Sequence, residues 1–170
     1  MTTEIHWIDG PWPGRLAISS RPRGGDWLED EVRSWQQSGL KIIVSLLTED
    51  EISGLSLKEE AKLCEEYGLE YIIFPIPDRG VPPSRRAAHD FVKKLDDALT
   101  KGKNVLIHCR QGIGRSALIA AALLVRAGVD TETAFERVSI ARGVPVPETT
   151  EQRDWVINFG RELAAEPTKI

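Results

Sequence analysis

His108-Cys109-Arg110-Gln111-Gly112-Ile113-Gly114-Arg115-Ser116 joins an apolar run, Val105-Leu106-Ile107, to a second apolar stretch from Ala117 to Ala127. The first run reads as a buried strand and the second as a buried helix. A cysteine at a strand end, under a helix N-terminus, faces unpaired backbone N–H groups and the positive end of the helix dipole. Cysteines so placed ionise readily. The amides of Arg110, Gln111, Gly112, Ile113 and Gly114 can wrap an oxyanion, as helix N-termini do for phosphate. Arg115 adds a planar fork that fits two phosphate oxygens, which a lysine would not. Gly112 and Gly114 allow the backbone angles that turn successive N–H groups inward, although a plain tight turn would use them equally well. One short loop thus combines a nucleophile with an oxyanion cage.

The composition sets the frame. The chain has 170 residues, enough for one domain with a sizeable core, and we read 1–170 as that single domain. The formal net charge is −4, which argues against a general nucleic-acid or membrane-surface binder. No apolar run reaches the roughly 18–20 residues a membrane span needs, and the first residues lack the basic-then-apolar pattern of a signal peptide. Two cysteines, Cys64 and Cys109, make no disulfide framework. A reducing cytoplasm suits chemistry that needs a free thiolate. No ligand spacing indicates a metal, and no cofactor is implied.

Strands are expected over about 5–8, 15–19, 41–47, 70–74 and 104–107. The run at 41–47 is continuously apolar, as central strands are. Asp26, with Glu29 three residues on, suggests a capping box for a helix ending at Gly39. Further helices are expected over about 57–67, 84–100, 116–127, 131–141 and 149–164. Pro75 to Pro83 is a loop because of its prolines. Alternating strands and helices predict an α/β fold, a mostly parallel or mixed sheet of about five strands flanked by about six helices. Its ligand site belongs at the carboxyl ends of the strands, where Cys109 falls.

The His-Cys-five residues-Arg-Ser pattern resembles the active-site loop of cysteine-dependent protein tyrosine and dual-specificity phosphatases. Pro13-Gly14-Arg15-Leu16, Pro75-Ile76-Pro77-Asp78 and Pro147-Glu148-Thr149 extend the similarity over most of the chain, toward atypical dual-specificity phosphatases of the kinase-associated type. The resemblance implies that Cys109 attacks phosphorus to form a phosphocysteine and that Arg115 clamps the phosphate. Asp78, 31 residues before Cys109, takes the general-acid position; on its own it would read as a turn aspartate. His108 would sit behind the loop, holding the thiolate or simply filling the core. Ser116 can donate to the departing sulfur, or cap the helix. In several relatives a Gln-Thr-x-x-x-Gln segment places the hydrolytic water; here Glu148 stands at its first position, and Gln152 also completes a helix capping box with Thr149.

Other charges are less decisive. One of Glu49, Asp50 and Glu51 could orient Arg115, although such a run reads first as a solvated face. Arg21, Arg23, Arg79, Arg110 and Arg142 would line a rim or lie scattered on the surface. Cys64 reads as core, with a regulatory disulfide to Cys109 as the alternative. The implied activity is hydrolysis of phosphotyrosine, with phosphoserine and phosphothreonine open, in a phosphorylated protein or peptide, by a monomer that binds neither nucleic acid nor membrane. A phosphoinositide or other non-protein phosphatase would share the loop. A catalytically weak phosphoprotein-binding module is the alternative of another class.

Overall fold

The computed structural model describes residues 2–165. Five strands form one sheet in the order β1-β2-β5-β3-β4. They are β1 (His6–Ile8), β2 (Leu16–Ser19), β3 (Ile42–Ser45), β4 (Glu70–Ile73) and β5 (Val105–His108). Only β1 runs antiparallel to its neighbour. The other pairings are parallel, so every strand they join ends on the same side.

Seven α-helices occur among the described residues: α1 (Leu28–Gln37), α2 (Glu49–Gly54), α3 (Glu60–Glu66), α4 (Arg85–Thr100), α5 (Arg115–Arg126), α6 (Thr131–Arg142) and α7 (Thr150–Ala165). The additional one is α2, whose residues read as a solvated charge run. Thr48 caps it, and Glu51 closes the capping box by reaching back to the Thr48 N–H. Asp26 does not cap α1. The chain enters that helix through a 3-10 turn, Gly25–Trp27, with no side-chain cap bond. The turn is held instead from outside, by Gly25 N–H on the Ser56 carbonyl and Arg23 N–H on Glu31.

Side-chain alternation along β5 divides the core in two. Val105 and Ile107 point to a cluster with α4, α5, α6 and α7; Leu106 points to a smaller one with α1 and α3. The helix after the loop, α5, is buried from Arg115 to Leu124, as its apolar sequence requires. Cys109 belongs to the first cluster and Cys64 to the second. The sheet therefore lies between the two sulfurs, and both are free thiols. Burial pushes the Cys64 thiol well above the usual range, with the Glu60 charge adding to it, so this cysteine is a core residue. No helix among the described residues is long and apolar enough to cross a membrane.

Candidate active site

Strands β2, β3 and β5 end in register, Ser19 and Ser45 both lying opposite His108. Their following loops meet there. Leu46 N–H donates to the His108 carbonyl (3.0 Å) and Arg21 N–H to the Arg110 carbonyl (3.2 Å), so the 109–114 loop is tied at its base to both neighbours. Gly112 is required by close approach: its φ is +74°, and a Cβ there would lie 2.8 Å from the Ser19 carbonyl carbon. Helix α5 then begins at Arg115, with Gly114 in the N-cap place.

The Cys109 sulfur lies 3.3 Å from the Gly112 nitrogen, which donates to it, and 3.2 Å from Ser116 Oγ. Because Gly114 occupies the cap position, the Ser116 hydroxyl is directed to the sulfur and not to a helix N–H. Arg115 is buried, and its fork is fully engaged. Nη1 and Nη2 bind the two Glu51 oxygens at 2.6 and 2.9 Å. Nη1 also donates to the Ile76 carbonyl (2.9 Å), and Nη2 to Asp78 Oδ1 (3.1 Å). Burial pulls the Glu51 carboxyl up, but the Arg115 hydrogen bond, the Thr48 N–H and the guanidinium charge outweigh it and hold the group down at about 2. Burial likewise opposes the Arg115 charge, and the Glu51 hydrogen bond with the neighbouring Cys109 and Glu51 charges lifts its pKa above the ordinary value.

Asp78, Cys109, Arg110, Gln111, Ile113, Gly114, Arg115 and Glu148 line one narrow cleft. Asp78 is thus brought to the loop, as its sequence position suggests. Gln152 is fully buried between the two loops: its Nε2 donates to the Gly80 carbonyl (3.0 Å), and its amide lies 3.1 Å from where a Gly114 Cβ would be. It also forms the capping box with Thr149. Glu148 pairs with Arg79 (3.2 Å), and Arg110 lies 3.6 Å from Glu51. A wider groove between β4 and α4, lined by Glu70, Lys93 and Lys101 among others, lies by the starts of β3 and β4, away from these residues.

His108 faces the opposite side of the sheet from Cys109. Its Nε2 is 2.6 Å from Glu60 Oε2, both side chains are fully buried, and Trp35 stacks alongside at 6.1 Å. Glu60 was not legible in the sequence. Lys58-Glu59-Glu60 looks like any solvated helix start, and only tertiary packing distinguishes the third residue. Arg142, expected at a rim or on the open surface, reaches the loop itself. It is half-buried and donates from Nη2 to the Gln111 carbonyl at 3.3 Å.

A family model described as "Polymorphic toxin system, DSP-PTPase phosphatase" matches residues 18–129. Among curated proteins, the rat cyclin-dependent kinase inhibitor 3 is 27% identical over 140 residues, which cover 81% of this chain and 66% of that protein, just under two thirds of its length. Among solved structures, kinase-associated phosphatase carrying serine for its catalytic-site cysteine superposes with a TM-score of 0.87 at 22% identity, covering 98% of this chain and 99% of that one. Tk-PTP in its active form gives 0.76 at 26% identity, over 92% and 96% of the two chains. With the matched segment running from the end of β2 through the whole cysteine loop and α5, the chain belongs to the DSP-PTPase phosphatase family.

Proposed function

We propose that the protein is a cysteine-dependent phosphatase that hydrolyses phosphotyrosine in a protein or peptide through a phosphocysteine. The observation that carries this reading is the convergence on one cleft of the Cys109 sulfur, the Gly112 N–H, the Arg115 fork and the Asp78 carboxyl. An incoming phosphate competes with Asp78 for Nη2 of Arg115, while Glu51 keeps hold of the guanidinium. The Cys109 thiolate attacks phosphorus in line, forming the P–S bond as the P–O bond to the leaving group breaks. Asp78, in its acid form, gives its proton to that oxygen, a step worth about 10²–10⁴ in rate. Its carboxylate then takes a proton from the water that attacks the phosphocysteine. As the P–S bond breaks, the Ser116 hydroxyl donates to the returning sulfur.

Arg110, Gln111, Gly112, Ile113 and Gly114 supply the phosphate-binding backbone in this account, with Gln152 as a support bridging the acid loop and the phosphate loop. The further cations of the cleft mouth, Arg110 and Arg79, each face a carboxylate, Glu51 and Glu148. That balance suits a single phosphate on a neutral leaving group better than a headgroup with several phosphates. Chemistry that needs a free thiolate suits the reducing cytoplasm.

Wild type and Cys109→Ser, assayed on matched phosphotyrosine, phosphoserine and phosphothreonine peptides and on a phosphoinositide vesicle, test the reading. Phosphotyrosine turnover that disappears in Cys109→Ser is expected. Faster turnover of the lipid would move the substrate class to the phosphoinositides. Peptide binding without turnover by wild type would make the protein a phosphoprotein-binding module.

A further inference from the structure

The Gln111–Gly112 peptide is held at both ends. Its N–H donates to the Cys109 sulfur at 3.3 Å, and its carbonyl accepts from Arg142 Nη2, also at 3.3 Å. In a trans peptide these two groups point in opposite directions, so fixing the carbonyl fixes the N–H. The preceding peptide is fixed in the same sense by backbone, the Arg110 carbonyl accepting from Arg21 N–H. For Gln111–Gly112 the tie is a side chain from another helix.

That peptide is also the one most in need of a tie. Gly112 must be glycine because the Ser19 backbone leaves no room for a Cβ. Glycine, however, removes the barrier that would keep the peptide from rotating. A rotated unit would turn its carbonyl toward the sulfur and toward bound phosphate, replacing a donor with a repelling oxygen. Arg142 is the last residue of α6, with Gly143 ending the helix in the left-handed region. Its Nε is buried without a hydrogen-bond partner. His6 of β1 lies near enough for its imidazole to be held below the usual histidine value by burial and then by the Arg142 charge. The guanidinium thus reaches the outer side of the loop from the half-buried end of α6. A charged donor also polarises the peptide and strengthens its N–H.

We propose that Arg142 is a positioning residue for the reaction: it locks the Gln111–Gly112 peptide with the carbonyl outward, so that the N–H serves the thiolate and then the phosphate. The inference rests on Cys109 being the nucleophile of the proposed phosphatase reaction.

Arg142→Met and Arg142→Lys test it, with two readouts: kcat and KM on a small aryl phosphate, and the pH dependence of the rate at which iodoacetamide captures Cys109, read by mass of the Cys109 peptide. Loss of a charge-assisted hydrogen bond predicts that Arg142→Met lowers kcat about tenfold with KM little changed and moves the pH at which capture rises upward by about one unit. Arg142→Lys, which keeps a charged donor, is expected to restore most of both. A rise in KM alone, with capture unaltered, would make Arg142 a substrate contact and overturn the proposal. So would unaltered rates in a variant that merely melts earlier. Should Arg142→Met fail to fold, full rates in Arg142→Gln, which loses the charge, would equally overturn it. Absence of wild-type turnover on aryl phosphates would count against the phosphatase reading, while the capture rates would still decide the role of Arg142.

Discussion

Glu51 and Arg115 meet as two parallel forks, Nη1 on Oε1 at 2.6 Å and Nη2 on Oε2 at 2.9 Å, although 64 residues separate them in the chain. The carboxylate is itself fixed by the capping box at the start of α2, through Thr48. A helix N-terminus thus aims the group that aims the guanidinium. The contact leaves the Nη2 edge shared with Asp78, which is the edge a phosphate can take over.

Removing that carboxylate takes the two-oxygen partner from a buried guanidinium and leaves it the more exposed Asp78. Glu51→Gln is expected to lower kcat by about 10²-fold through misorientation of Arg115. It should also destabilise the fold by about 1–3 kcal/mol at neutral pH. The Glu51 pKa is depressed from 4.5 to about 2 in the folded protein. Its contribution is therefore fully present above the unfolded value and is lost as pH falls through about 2. Urea melts of the two proteins should accordingly show a gap that is wide at neutral pH and narrows in acid. A gap independent of pH would contradict the assignment.

Asp78→Asn removes the proton donor without removing the nucleophile. Turnover of phosphotyrosine should fall by about 10²–10⁴, because tyrosine is a poor leaving group unless protonated. A substrate with an acidic phenol should lose much less. On the pair, kcat/KM, which reports formation of the phosphocysteine and not its hydrolysis, is decisive, and equal losses on both would remove the general-acid role.

Ser116→Ala takes away the hydroxyl 3.2 Å from the Cys109 sulfur. If that hydroxyl stabilises the departing thiolate, breakdown of the phosphocysteine slows by about tenfold or more and attack is less affected. Stopped-flow release of a chromogenic phenol should then show a burst followed by a slow steady state. A variant that slows without a burst would assign the hydroxyl to the first step.

Glu60→Ala orphans the fully buried His108 ring. Leaving a buried ring nitrogen without its hydrogen-bond partner typically costs about 1–3 kcal/mol. Chemical denaturation should show a loss of that order, with Glu60→Gln, which keeps an acceptor for Nε2, losing less. Equal losses in the two variants would mean that the hydrogen bond between Glu60 and His108 contributes little.

The strands, the main helices and the cysteine loop were legible because their signals are local. Apolar runs, prolines and glycines report on the residues that carry them. Asp26 misled for the complementary reason: a good capping sequence was overruled by bonds from Ser56 and Glu31, which lie outside it. Helix α2 was hidden inside Glu49-Asp50-Glu51, where three carboxylates look alike and only the third turns inward. Asp78 became visible through its place in a family pattern rather than through any property of the residue itself.

By itself the chain determined the alternation of strand and helix, the placing of Cys109 under a helix start, and the six-residue step to Arg115, because backbone geometry and dipoles act over one turn. Only the tertiary structure decided which carboxylates complete the site and which arginine braces it. Glu51, Glu60 and Arg142 do their work across 64, 48 and 31 residues of sequence. Burial makes those pairings strong, and burial is a property of the packed sheet and helices, not of any stretch of chain read alone.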